Sequence, residues 1–155
     1  MCRDGPTVRS MGTLLAALVL GGLGGCHRGS QVVTSIEFDG KSRTISTDDV
    51  TCTKQVDGGL LILVLGGPQR TVRVLLTERG RLVVQKAALR YDDLAGFVDD
   101  PGEVTATKVD DAFTFSGRMP PNPGEAQWHT FKIETTCPAY QDAPQPPQFP
   151  RRGAP

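Results

Sequence analysis

The stretch "SIEFDGKSRTI", Ser35 to Ile45, sets the fold class. Ile36 and Phe38 alternate with Ser35 and Glu37, then Asp39-Gly40 interrupts, and the chain resumes from Lys41 to Ile45. Alternation of apolar and polar residues is the signature of a strand with one buried face, and Asp-Gly between two such runs is a strong short-range hairpin signal. On the C-terminal side the pattern continues. In "DVTCTKQV", Val50 and Cys52 face inward against Thr and Lys. "GLLILVLGG" is a continuous apolar run between glycines, the reading for a strand buried on both faces or nearly so. "TVRVLLT" sets Val72, Val74 and Leu76 against Arg73 and Leu75, a turn follows at Glu78-Arg79-Gly80, and "RLVVQKAAL" is a further strand. "RYDDLAGFVDDPGE" breaks the alternation and reads as a loop or one short helical turn stopped by Pro101-Gly102. "EVTATKV" and "AFTFSGRM" flank Asp110-Asp111 as a second hairpin. "WHTFKIETTC" leads into Cys137 with either Trp128 and Thr130 or Phe131, Ile133 and Thr135 inward.

About eight short strands and no sustained helical period predict a mainly β fold, a small antiparallel sandwich or half-barrel with at most one short helix. The domain spans 32–138. Residues 139–155 are rich in Pro and Gln, carry no period, and read as a disordered tail.

The segment before the strands has a different character. Arg3 and Arg9 precede the apolar stretch from Met11 to Leu20, and glycine pairs at 21–22 and 24–25 lead to Cys26. A positive start, a short apolar core and small residues describe a secretory signal peptide over 1–25, since the core is shorter than the roughly 20 residues a membrane helix needs. Leu23-Gly24-Gly25-Cys26 resembles the bacterial lipobox. That resemblance implies S-diacylglycerol on the Cys26 thiol, cleavage before it and N-palmitoylation of the new terminus. Two or three acyl chains supply the two-signal anchoring that one chain does not. Residues 26–31 then form a short polar tether.

Four cysteines are present, Cys2, Cys26, Cys52 and Cys137. Cys2 leaves with the signal peptide and Cys26 is taken by lipid. Outside the cytosol the remaining pair, Cys52 and Cys137, reads as a disulfide closing a loop of roughly 85 residues. Zinc is the weaker alternative, because His27 and His129 are the two histidines and neither has ligand spacing to a cysteine. A thiol nucleophile lacks a recognisable histidine and Asp/Asn signature.

Charge excludes one class of partner. The chain has 17 Lys plus Arg and 17 Asp plus Glu; without residues 1–25 the balance is 15 to 16. A nucleic-acid binder carries a basic face or high pI, and stacking on single strands needs aromatics, which are 6% here. No nucleic-acid partner is expected.

In order along the chain stand the lipobox cysteine, Asp39-Gly40-Lys41, "VTCT" around Cys52, Gly66-Gly67, "VLLT", "LVVQKAAL", "TATK" from Thr105, "FTFSG" and "FKIETTCP" with Cys137. From Phe38 to Pro138 this resembles the mycobacterial lipoprotein antigen family, the group of the nineteen-kilodalton antigen. The resemblance implies a surface antigen anchored by lipid to the outer face of the cell membrane, partly released to the cell wall or exterior. It also implies a Cys52–Cys137 disulfide, no enzymatic activity, no cofactor, and recognition of the acylated terminus by host Toll-like receptor 2. Two features depart from the family pattern: the tether "HRGSQVVTS" is short where relatives carry a glycosylated Thr/Ser/Ala-rich segment, and the Pro-rich extension is additional.

Other chemistry is weaker. The doublets Asp48-Asp49, Asp92-Asp93, Asp99-Asp100 and Asp110-Asp111 sit beside turn residues, where acidic side chains are usually solvated. Asp92, Asp93, Asp99, Asp100 and Glu103 could gather around an ion, but the spacing is not an EF-hand's, and carboxylate pairs for glycoside hydrolysis lack visible substrate-shaping neighbours. No G-x-S-x-G is present. His129 reads as structural or exposed; Trp128, Phe113, Phe115 and Phe131 read as core before they read as a ligand pocket. Two functions survive: a non-enzymatic interaction lipoprotein, or a carrier of envelope lipid or glycolipid, which would need an apolar cavity of several hundred cubic ångströms.

Overall fold

The computed structural model describes residues 30–145. The expected signal peptide over 1–25, Cys26 and most of the expected tether lie outside the described residues, as do residues 146–155 of the expected tail. Eleven strands run in order: β1 Val32–Phe38, β2 Lys41–Thr47, β3 Val50–Lys54, β4 Gly59–Leu65, β5 Arg70–Thr77, β6 Val83–Tyr91, β7 Leu94–Val98, β8 Val104–Val109, β9 Ala112–Met119, β10 His129–Thr136 and β11 Tyr140–Asp142. A 3-10 turn at Pro101–Glu103 stands between β7 and β8. One sheet has the order β2-β1-β10-β9-β8, the other β11-β3-β4-β5-β6-β7. All pairings are antiparallel except β11 with β3.

The sheets enclose one core, so the architecture is a sandwich. Alternation supplies it: Ile36, Phe113, Phe115 and Ile133 come from the five-stranded sheet, and Leu60, Ile62, Val64, Val72, Val74 and Leu76 from the six-stranded one. Phe113 and Phe115 stack with centroids 5.9 Å apart. Three threonines are buried with this apolar set, Thr34, Thr47 and Thr135, and the hydroxyls of Thr34 and Thr135 hydrogen-bond each other at 2.7 Å. Cys52 and Cys137 are bonded, with Cα atoms 5.9 Å apart, inside the usual span for a disulfide. The bond ties β3 of one sheet to the residue that follows β10 of the other.

Two-residue hairpins explain three of the acid-containing turns. Phe38 pairs Lys41, Tyr91 pairs Leu94, and Val109 pairs Ala112. Each turn opens on an aspartate with positive φ: Asp39 at 48°, Asp92 at 53° and Asp110 at 54°. Asp tolerates the left-handed region better than most residues because its short carboxylate bonds locally.

Four expectations need correction. "RYDDLAGFVDD" is not a loop but the β6–β7 hairpin, since Asp92 and Asp93 serve as its turn and Gly96 and Val98 face the core. Pro101 begins the 3-10 turn rather than ending one; its ring supplies the helical φ, and Asp100 caps it by accepting from the Gly102 N–H at 2.8 Å. "GLLILVL" is covered on one face alone, with Leu60, Ile62 and Val64 buried and Leu61, Leu63 and Leu65 half-exposed. The tail does not begin at 139, because Tyr140–Asp142 pairs with Cys52–Lys54 beside the disulfide and raises the strand count.

Candidate functional site

Three sites in the described chain could carry chemistry. The most densely bonded polar group is built at one end of the sandwich around His129, the first residue of β10. The β1–β2 turn brings Asp39 beside it, and the loop between β9 and β10 brings Glu125. His129 Nδ1 lies 2.7 Å from Asp39 Oδ2, and Nε2 lies 2.6 Å from Glu125 Oε2. The imidazole stacks on Phe38 with centroids 4.9 Å apart, which leaves its side chain 14% exposed. Asp39 Oδ1 also accepts the Thr130 N–H, and Glu125 Oε2 accepts the Asn122 N–H, both at 2.9 Å.

The electrostatics follow from these bonds. Hydrogen bonds to Asp39, then to Glu125, raise the His129 pKa above its ordinary value. Desolvation pushes the Asp39 carboxyl up, but the bonds from His129 and from the Thr130 amide outweigh it and leave it lowered. The bond from His129 also lowers Glu125. Doubly protonated imidazole donates to both carboxylates, so neither nitrogen has a lone pair to offer a metal or a substrate proton. The group is a clamp that fastens the Pro-rich 120–128 loop to the hairpin turn. The loop is further pinned by Asn122, whose Nδ2 donates to the Ala95 carbonyl at 2.9 Å.

The acidic doublets do not converge. Asp92 is held by Arg70 at 3.1 Å, Asp100 caps the 3-10 turn, and Glu103 pairs with Arg118 at 2.9 Å. Asp49 donates its backbone N–H to Thr47 at the crossing between sheets. Among the described residues no group of three or more His, Cys, Asp and Glu could hold a metal. Phe113, Phe115 and Phe131 are core. Trp128 is not; it is 49% exposed, with Arg118 5.3 Å above its ring.

The third candidate is the outer face of the six-stranded sheet. An open groove of about 390 Å³ there is lined by Arg73, Leu75, Lys86, Ala88 and Phe97. It lies on the exterior, whereas the space between the sheets is filled by the buried side chains named above. Sequence reasoning missed this face because it placed both sides of "GLLILVL" in the core. It missed Glu125 because that residue sits in a loop without periodicity; only the i, i+4 offset from His129 hints at it.

The family model of the Mycobacterium 19 kDa lipoprotein antigen matches residues 29–137, and the chain belongs to that family. No curated protein matches the chain.

Proposed function

We propose that this chain is an exported, non-enzymatic envelope lipoprotein. It is cut before Cys26, anchored by acyl chains on that residue at the outer face of the cell membrane, and displays the β domain as an interaction module. In this reading the acylated terminus is the part that host Toll-like receptor 2 engages. Membership of a lipoprotein antigen family fits the reading.

The observation that carries it is the Cys52–Cys137 bond. A disulfide persists in an oxidising compartment. It consumes both cysteines of the folded domain, so of the cysteines outside it Cys26 alone follows the apolar leader. The filled interior favours display over carriage, because a carrier needs an enclosed apolar space and the inner faces here are occupied by Phe113, Phe115, Met119 and Ile133.

The test is fractionation of the host expressing the wild-type or Cys26→Ala chain, with metabolic labelling by a palmitate analogue. The wild-type chain should carry label and stay with membranes after a carbonate wash; Cys26→Ala should lose both. A Cys26→Ala chain that resists carbonate, or that keeps the label, overturns the anchor. Envelope lipid co-purifying with the chain in a native mass spectrum would restore the carrier reading.

A further inference from the structure

The two outer faces of the sandwich differ. On the five-stranded sheet the outward positions are mostly polar and mixed in charge, with Val33 and Val109 as separate exposed exceptions: Ser35 stands opposite Glu134, and Glu37 opposite Lys132, with Lys132 and Glu134 paired at 2.8 Å. On the six-stranded sheet the register builds apolar rows. Leu63, Arg73, Ala88 and Phe97 lie side by side across four strands, and Leu61, Leu75 and Lys86 form the next row. Phe97, on the edge strand β7, is 47% exposed and lines the groove.

The charge on this face has one sign. Its outward strand positions include Arg73, Lys86 and, beside Thr71 and Ala95, Arg90. No Asp or Glu occupies an outward position within these strands; Asp49 and Asp99 stand just past strand ends. None of the three cations has an ion-pair partner among the described residues. The chain without residues 1–25 is close to neutral, so this is a local concentration of positive charge around exposed leucine and phenylalanine. An apolar patch rimmed by cations matches the chemistry of an anionic lipid surface, into which aromatic and aliphatic side chains insert while Lys and Arg meet the headgroups.

The point of attachment permits the pose. Val32 opens β1 and pairs Thr47, whose hydroxyl donates to the Leu65 carbonyl at the end of β4. The chain therefore enters beside the same end of the six-stranded sheet. Six residues from Cys26 to Val32 reach at most about 20 Å, while sheets in a sandwich lie about 10 Å apart. A tether of that reach can round the end of the sandwich.

We infer that the outer face of the six-stranded sheet lies on an anionic phospholipid bilayer, with Phe97, Leu63 and Leu75 at the acyl boundary and Arg73, Lys86 and Arg90 on the headgroups. The orientation rests on the anchor at Cys26; the affinity of the face does not.

The experiment separates the two. The full chain bearing Cys26→Ala is sedimented with vesicles of phosphatidylcholine containing phosphatidylglycerol, and with vesicles of phosphatidylcholine alone. Binding is expected to the anionic vesicles, weakening with salt. Arg73→Glu with Lys86→Glu should lower it by at least about tenfold. Phe97→Asp should lower it as well, and Lys132→Glu on the opposite face should leave it unchanged. Residues before 30 are common to every variant, so differences report the face, and the substituted positions are exposed, so circular dichroism should be unaltered. Equal binding by all variants, or none to anionic vesicles, overturns the inference. A concentration-dependent dimer dissolved by Phe97→Asp, without vesicle binding, overturns it too and assigns the face to a second copy. Loss of the anchor alone would appear in the carbonate wash and leave vesicle binding intact.

Discussion

Deprotonating His129 should weaken the domain by an amount that the clamp geometry bounds. The pKa of His129 is raised in the folded chain. Its stabilisation is therefore fully present below the unfolded value of about 6.5 and is lost as pH rises through the folded value. The carboxyls of Asp39 and Glu125 are lowered, so their share is present above ordinary carboxylate pKa values and is lost as pH falls through the folded ones. The clamp is thus complete in weakly acidic solution. Above that range a neutral imidazole can donate to one carboxylate only, and the other faces a lone pair at hydrogen-bond distance. A hydrogen bond to a charged group contributes about 1.5–3 kcal/mol when shielded. Asp39 is 43% exposed, so solvent screening reduces the His129–Asp39 link to about 0.5–1 kcal/mol. The assay is urea unfolding of the wild-type chain and His129→Gln from pH 5 to pH 9. His27 and the carboxylates elsewhere are common to both chains and cancel in the difference. The wild-type advantage should fall by about 0.5–1 kcal/mol above neutrality, a midpoint change near 0.3–0.5 M at an m-value of about 2 kcal/mol/M. A difference curve that is flat over this range, or that rises with pH, refutes the reasoning.

Opening the disulfide with Cys52→Ala plus Cys137→Ala should cost about 4.5 kcal/mol by the chain-entropy relation for a loop of 85 residues, measured as a fall in the denaturant midpoint. Thr34→Val should cost about 1–3 kcal/mol because it strands the Thr135 hydroxyl, whereas Thr34→Val with Thr135→Val should recover most of that loss; equal losses in the single and double variants would refute the pairing. Gly96→Val should destabilise by about 1–3 kcal/mol, since a Cβ at this position would run into Met119 Sδ and stand 3.1 Å from the Phe38 ring. Asp39→Asn, which keeps a residue tolerant of the left-handed turn but removes the carboxylate that does most to raise His129, should lower the histidine titration toward its ordinary midpoint, followed by proton NMR.

What could be read before the structure follows from how local each signal is. Period-two alternation in Val32–Phe38 and Arg70–Thr77 depends on neighbours one or two positions away, and the structure keeps those inward residues inward. Asp39-Gly40 and Asp110-Asp111 are turns for equally local reasons. The β6–β7 hairpin was hidden because Asp92 and Asp93 fill a turn without glycine and Gly96, inward between Leu94 and Val98, shows no hydrophobicity. Its place in the core is set by Phe38 and Met119, far away in the chain. The same limit concealed the clamp, whose three residues come from a turn, a loop and a strand, 90 residues apart at the widest bond. It also concealed the outer face, since "GLLILVL" offers leucine to both sides and a local rule reads that as burial on both. Here no layer of the described residues covers the second side. An uncovered leucine row with unpaired cations is a demand for a surface to meet, and the sequence alone could not separate it from core.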